Sequence, residues 1–313
     1  MTLLVQYTLI YASVLICVAL GGMFSERSGV INIGLEGIMV FGALGGALVL
    51  GFMPDGTNPL LMIFLTVFIS MFCGMIFSLL LAVSAINFKA DQTLVGTAMN
   101  MLATAASTVI VKAINTKRSG GDNVSAILDY IQSRRCFIFK CFGIELNVYM
   151  IFTAIIVIVS FIVLYKTRFG LRLMACGEHP QAADSVGINV YKMRYAGVLI
   201  SGALGGFGGI IYITAANSQW DFIYGVAGAG FLSLAVMIFG QWKPLRIALA
   251  AIVFGVFRAI ADAYMGFDVL VKLVSGEFYK MLPYIISLVV LAFTSKKSKA
   301  PKAEGIPYDK GIR

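Results

Sequence analysis

Residues 26–37 read ERSGVINIGLEG: two carboxylates, an arginine, an asparagine and three glycines between two strongly apolar runs. Asn32 and Glu36 are four apart, so on a helix they share one face. Gly29, Gly34 and Gly37 loosen the backbone around them. An ionisable group in hydrocarbon costs about 2.5 to 3.5 kcal/mol on insertion scales, so it persists where it meets water, a cavity or a partner. Non-helical backbone at membrane depth survives only when buried in protein or lining a cavity. Two readings stay open. Asn32 and Glu36 line a passage, or they brace a packed bundle, with Glu36 capping the following helix and pairing with Arg27.

A second polar face follows. Thr93, Thr97, Asn100, Thr104 and Ser107 recur at three- and four-residue steps, one helical stripe, with Asp91 and Gln92 at its start. Such groups suit an uncharged ligand rich in hydroxyls or amides, or serve as hydrogen bonds between helices, worth about 0.6 kcal/mol each. The stretch NSQWDFIYG (217–225) joins aromatics to Asp221, which is a candidate for the same passage, while Trp220 and Tyr224 suit interface anchors. The loop 166–194 contains GEHPQAADSVGINV. Pro180 suits a helix start and Gly187 a stop. A short exposed helix flanked by basic residues fits an ordinary loop helix or a docking element for a soluble partner. His179 has neither a nucleophile nor an orienting group beside it, so no catalytic residue is expected.

The elements that position these residues are membrane helices. Of 313 residues, 59% are hydrophobic and 12% charged, against about 25% charged in a soluble domain. About 20 apolar residues cross the bilayer core as a helix. The apolar runs predict an all-α polytopic protein of about nine crossings, near residues 3–24, 36–53, 60–86, 93–111, 148–165, 195–213, 226–240, 247–264 and 278–293. Fifteen of the 24 Lys and Arg then fall on the side of loop 166–194. The positive-inside rule makes that side cytoplasmic and places the N-terminus outside and the C-terminus inside. The net charge of +9 follows from this bias, so no nucleic-acid partner is expected. The domain reading is a single transmembrane unit over residues 1–295, with an extracytoplasmic loop at 112–147, a cytoplasmic loop at 166–194 and a basic cytoplasmic tail at 296–313.

The five cysteines form no CxxC pair and the chain has one histidine, so no metal is expected. Cys136 and Cys141 share the outer loop, as a disulfide or as free thiols. GALGG occurs at 42–46 and again at 202–206, an internal repeat or the small residues that close helix packing requires. No GxxxxGK[ST] loop is present, so ATP hydrolysis by that route is excluded. Arg258 and Asp262 are four apart and suited to pair.

Three stretches together carry a family likeness: ERSGVINIGLEGIMVFGA, GEHPQAADSVGINV followed by SGALGGFGG, and GFLSLAVMIFGQWKP. Over roughly residues 8–293 the chain resembles the permease subunits of bacterial ABC importers for nucleosides and simple sugars, in the ribose and branched-chain amino acid permease superfamily. The resemblance implies that Ser28 to Gly37 is a broken helix beside the translocation path, with Asn32 and Glu36 its polar members. It places Asn100, in VGTAMN, on a pore-lining helix, next to Thr97. Gly177 to Ile188 becomes the coupling helix that docks an ATPase, carried by Gly177, Glu178, His179, Pro180, Ala182, Ala183 and Gly187. The family reads GENP where this chain has GEHP. The partners implied are the lipid bilayer of the inner membrane, two ATP-binding subunits, an extracytoplasmic substrate-binding protein and a second permease, identical or paralogous. No cofactor is implied. A nucleoside is the expected cargo, then a ribose-like sugar, with riboflavin as an alternative. A secondary transporter driven by an ion gradient would show several mid-membrane ionisable residues, and few are present.

Overall fold

The computed structural model describes residues 2–54, 56–121, 124–130, 137–141, 144–215, 219–264, 276–294 and 299–311. Its helices are α1 (Thr2–Arg27), α2 (Leu35–Phe52), α3 (Pro59–Ala82), α4 (Gln92–Arg118), α5 (Val148–Lys166), α6 (Arg168–Glu178), α7 (Pro180–Ser185), α8 (Val190–Ala215), α9 (Ala229–Phe239), α10 (Pro244–Ala263) and α11 (Gly276–Thr294). Seven of these, α1 to α5, α8 and α10, are long and apolar enough to cross a membrane. The α11 segment adds 19 residues. The helices start where the local chemistry supplies acceptors for the first N–H groups. Asn58 caps α3, Asp91 caps α4, Asn147 caps α5 and Thr167 caps α6, while Pro180 and Pro244 open α7 and α10. A π turn, Val83–Asn87, ends α3.

The bundle is built around α8, whose apolar stretch is 83% buried, with α1, α2 and α3 packed against it. Close approach comes from glycine. A Cβ at Gly42 would overlap the Cα of Gly206, and one at Gly74 would overlap the carbonyl of Gly202. The two GALGG copies thus meet in one seam. Ser70 Oγ sits in that seam, 2.7 Å from the Gly42 carbonyl and 2.8 Å from the Gly206 carbonyl. Without an apolar driving force between helices in lipid, such packing and hydrogen bonding hold the bundle.

The structure differs from the sequence reading in three places. Asn32 is not on a helix, because α2 begins at Leu35, so Asn32 and Glu36 do not share a helical face. The segment read as a crossing at 226–240 contains only the 11-residue α9, about 16 Å at 1.5 Å per residue. Positive φ at Gly225, Ala227 and Gly228 keeps the preceding turn out of the helix. Helix α4 runs on to Arg118, and the region beyond it is not simply loop. It forms β1 (Ile127–Asp129), β2 (Ile138–Cys141) and β3 (Ile144–Asn147). The first of these pairs with β4 (Gln219–Asp221), and β2 pairs with β3. Leu128, Tyr130 and Phe137 are buried there, and Tyr130 Oη donates to the Ile213 carbonyl at 2.6 Å. Cys136, one partner of the disulfide considered above, lies outside the described residues.

Gly206→Leu would force α2 and α3 away from α8. Overpacking of a tight core costs about 1–3 kcal/mol and at times more. The expected result is a clearly lower melting temperature in detergent for Gly206→Leu, with Leu60→Ala, at an exposed site, melting as wild type.

Candidate functional site: the helix break and its two faces

Residues 28–34 connect α1 to α2 without regular helix, and the segment is clamped at each step. Val30 N–H donates to the Ser25 carbonyl, and Ser25 Oγ donates to the Val30 carbonyl at 2.7 Å. Ile31 N–H donates to Gln92 Oε1 at 2.7 Å. Asn100 serves both sides of the segment's end: its Nδ2 donates to the Ile33 carbonyl at 3.0 Å, and its Oδ1 accepts from Gly37 N–H at 2.8 Å. Asn32 is fully buried, and its Nδ2 donates to Ser201 Oγ on α8 at 2.8 Å. Helix α4 can come this near because Gly34, Gly37 and Gly96 leave backbone against backbone; a Cβ at Gly37 would stand 2.8 Å from the Met99 carbonyl.

Glu36, in the first turn of α2, reaches the start of the half-length helix α9. Its Oε1 accepts from Gly228 N–H at 2.8 Å and its Oε2 from Gly230 N–H at 2.7 Å. The first N–H groups of a helix lack partners and carry its positive end, and a carboxylate answers both needs. Neither sequence reading of Glu36 named this role. It caps a helix almost two hundred residues further on, and its own Arg27 pairs instead with Glu178 at 3.8 Å. Glycine at Gly230 is required, since a Cβ there would stand 2.5 Å from Glu36 N.

Other expected residues separate from this cluster. Thr97 is exposed, and its hydroxyl donates to Thr93 O in its own helix. Asp221 Oδ1 accepts from Ile223 N–H at 3.0 Å and caps the single turn Phe222–Tyr224. That turn meets α4 through Thr108, whose hydroxyl donates to the Phe222 carbonyl at 3.2 Å.

On the side of the bundle carrying the α1 N-terminus, a cavity of about 380 Å³ is lined by Tyr7, Tyr11, Tyr212, Trp220 and Tyr224 with Arg258 and Asp262. The guanidinium stands 3.8 Å from Asp262 and 5.5 Å from the Tyr11 ring centroid, and Nη2 donates to Tyr212 Oη at 3.4 Å. Tyr11 Oη donates to Asp262. Tyr212 and Trp220 meet edge to face at 5.4 Å. A smaller void of about 10 Å³ shares Tyr11, Tyr212 and Arg258 and reaches Ala229 and Leu232, beside the N–H groups that hold Glu36. Aromatic walls with one charged pair suit a planar polar solute.

At the opposite end, α6 and α7 form a short hairpin. Gly177, Pro180 and Ala183 are buried, whereas His179, Ala182 and Gly187 are exposed and Glu178 is half-buried. Gly187 has φ +83 and stops α7 as its position suggested. Val186 is 74% exposed, so the tip of the hairpin presents apolar atoms to solvent. Cys176 is buried beneath it, and burial pushes its thiol up to about 11, against a smaller opposing pull from Arg194. Among the described residues no group of three or more His, Cys, Asp or Glu could hold a metal ion.

Two outcomes follow. Asn100→Leu leaves the Ile33 carbonyl and Gly37 N–H unpartnered, each a penalty of about 1–3 kcal/mol; it should melt well below wild type, while Thr97→Ala should not. Thiolate is the reacting form of cysteine, so Cys176 in the intact protein should resist iodoacetamide at pH 7.5, with alkylation rising only as pH approaches 11, as peptide mass mapping would show.

Comparison with known proteins matches residues 4–291 to the family model for the branched-chain amino acid transport system / permease component. The nucleoside ABC transporter permease protein NupC of Lactococcus lactis is 38% identical, covering 98% of this chain and 97% of its own. The guanosine ABC transporter permease protein NupQ of Bacillus subtilis is 39% identical over 100% of this chain and 98% of its own. The putative glucose ABC transporter permease protein TsgC13 of Haloferax volcanii is 30% identical over 82% of this chain and 76% of its own. No solved structure matches. With a match that spans nearly every helix of the bundle, break and hairpin included, this chain belongs to the family of branched-chain amino acid transport system permease components.

Proposed function

We propose that the chain is the permease subunit of an ABC importer that carries nucleosides. The observation that carries this is the full-length similarity, at 38% and 39% identity, to permeases named for nucleosides and guanosine. The aromatic cavity supports it. Its 380 Å³ lies within the 300–1,000 Å³ usual for small-molecule sites. A purine can stack on Tyr or Trp while the guanidinium of Arg258 donates to ring carbonyls or ribose hydroxyls. Residues 1–295 form the permease unit, with 112–147 outside, and 166–194 and the tail 296–313 in the cytoplasm.

In this reading the cavity is the outer vestibule, and Asn32, Glu36 and Asn100 border the path where the chain leaves the helix. Two ATP-binding subunits hydrolyse ATP and dock on α7, where the exposed Ala182 and the Val186 that follows the helix supply an apolar tip. An extracytoplasmic binding protein delivers the cargo. The second permease is a paralogue: Lactococcus lactis has both NupC and a further nucleoside ABC transporter permease protein, NupB, which is 24% identical to this chain. Closure of the ATPases moves the docking hairpins and opens the path to one side at a time.

Uptake of tritiated guanosine by the full complex in proteoliposomes tests this. Transport should require ATP, and Arg258→Met should lower it about tenfold while basal ATP hydrolysis persists. Ala182→Arg with Val186→Asp should abolish co-purification of the ATPases. Uptake of glucose, ribose or riboflavin in place of guanosine would overturn the cargo. Uptake without ATP would overturn the class.

A further inference from the structure

Residues 299–311 return to the bundle and fasten four separate elements. Gly305 N–H donates to the Gly29 carbonyl of the helix break at 3.2 Å, and Ala303 N–H donates to the Gly177 carbonyl at the end of α6 at 2.8 Å. Arg194, buried at the start of α8, donates through Nη1 to the Ile306 carbonyl at 3.0 Å. Lys89, in the α3–α4 turn, donates to Asp309 at 2.6 Å. Between these points Tyr308 is buried with Cys176, Ala183 and Val190, and its ring meets Tyr191 edge to face at 5.4 Å. Gly305 sits at φ +76, a conformation that strains any residue with a side chain, and a Cβ there would also crowd the Ile31 side chain.

This arrangement is specific in a way a solvated basic tail is not. Two of its contacts are backbone N–H groups placed on carbonyls of the break and of the hairpin, hydrogen bonds fixed by chain position rather than by charge. The break and the hairpin also touch directly, because Gly177 packs against the Arg27 carbonyl with no space for a Cβ. Tyr308 packs with Ala183 on the buried side of α7, while the neighbouring Ala182 is exposed.

We propose that the C-terminal strap, through Ala303, Gly305 and Tyr308, is a positioning element of transport that ties the α6–α7 hairpin to the helix break. Displacement of the hairpin is carried to residues 28–34 through the strap rather than dissipated at the membrane surface. The proposal rests on the reading of α7 as the ATPase-docking helix.

The test uses the full complex and two alterations, Tyr308→Ala and a chain ending at residue 299, with Tyr308→Phe as the conservative control. ATPase co-purification and basal hydrolysis report docking, guanosine moved per ATP reports transmission, and alkylation of Cys176 at pH 7.5 reports whether the strap has left. For Tyr308→Ala and the shortened chain, the ATPases should remain bound and hydrolyse within about twofold of wild type. Guanosine per ATP should fall at least fivefold, and Cys176 should be alkylated several-fold faster. Tyr308→Phe, which keeps the ring, should keep guanosine per ATP well above the level of Tyr308→Ala. Unchanged guanosine per ATP in either alteration, with the ATPases bound, overturns the strap's role. Retention of the ATPases by the Ala182→Arg, Val186→Asp variant overturns the docking reading instead, so the two failures are told apart.

Discussion

Backbone taken out of a helix within a membrane protein must find hydrogen-bond partners inside the protein, and that requirement organises this molecule. Residues 28–34 leave the helix, and the groups they expose are answered from several directions. Ser25 comes from α1, Gln92 and Asn100 from α4, Ser201 from α8 and Gly305 from the tail. A second interruption, before α9, leaves a helix start without partners, and Glu36 supplies them. The two interruptions therefore stabilise one another: a residue in the first turn of the helix after the first break caps the helix after the second. Altering either is expected to disturb both.

Glycine makes this arrangement reachable. The α2–α3–α8 seam brings backbones into contact at Gly42, Gly74 and Gly206, which places α8 beside the break, and Gly34, Gly37 and Gly96 do the same for α4. Close packing and polar satisfaction are thus the same feature seen twice. A hydrogen bond of about 3 Å forms only if the helices approach closely enough to make it. The aromatic cavity is lined by residues of α1, α8 and α10 together with Trp220 and Tyr224, and its half-buried Arg258 is held by Asp262 and Tyr212.

Much of this was legible in the sequence. The family resemblance carried by 26–37 implies the break, Pro180 and Gly187 bracket α7 to within two residues, and the four-residue spacing of Arg258 and Asp262 gives their pairing. The apolar runs place most of the long helices within a few residues, apart from the far end of α4 and the short α9. Partners far apart in the chain were not legible. Nothing near Glu36 indicates that its acceptors' donors are Gly228 and Gly230, because a cap on a distant helix leaves no local pattern. The 226–240 run is as apolar as a full crossing, and only the backbone conformation at Ala227 and Gly228 shortens it. Asn32 looks like a helical neighbour of Glu36 by spacing alone. Residues 299–311 read as an ordinary basic tail, since their backbone contacts and the burial of Tyr308 depend on tertiary placement rather than on composition.

The central claim is that the break borders the path and changes its surroundings as ATP is used. A single cysteine at the half-buried Ile33, in an otherwise cysteine-free chain within the reconstituted complex, reads this directly through its reaction with a membrane-impermeant thiol reagent. The account predicts a several-fold difference in labelling rate between the nucleotide-free and ATP-bound states. A cysteine that is inert in both states, or that reacts at the same rate in both, would contradict it.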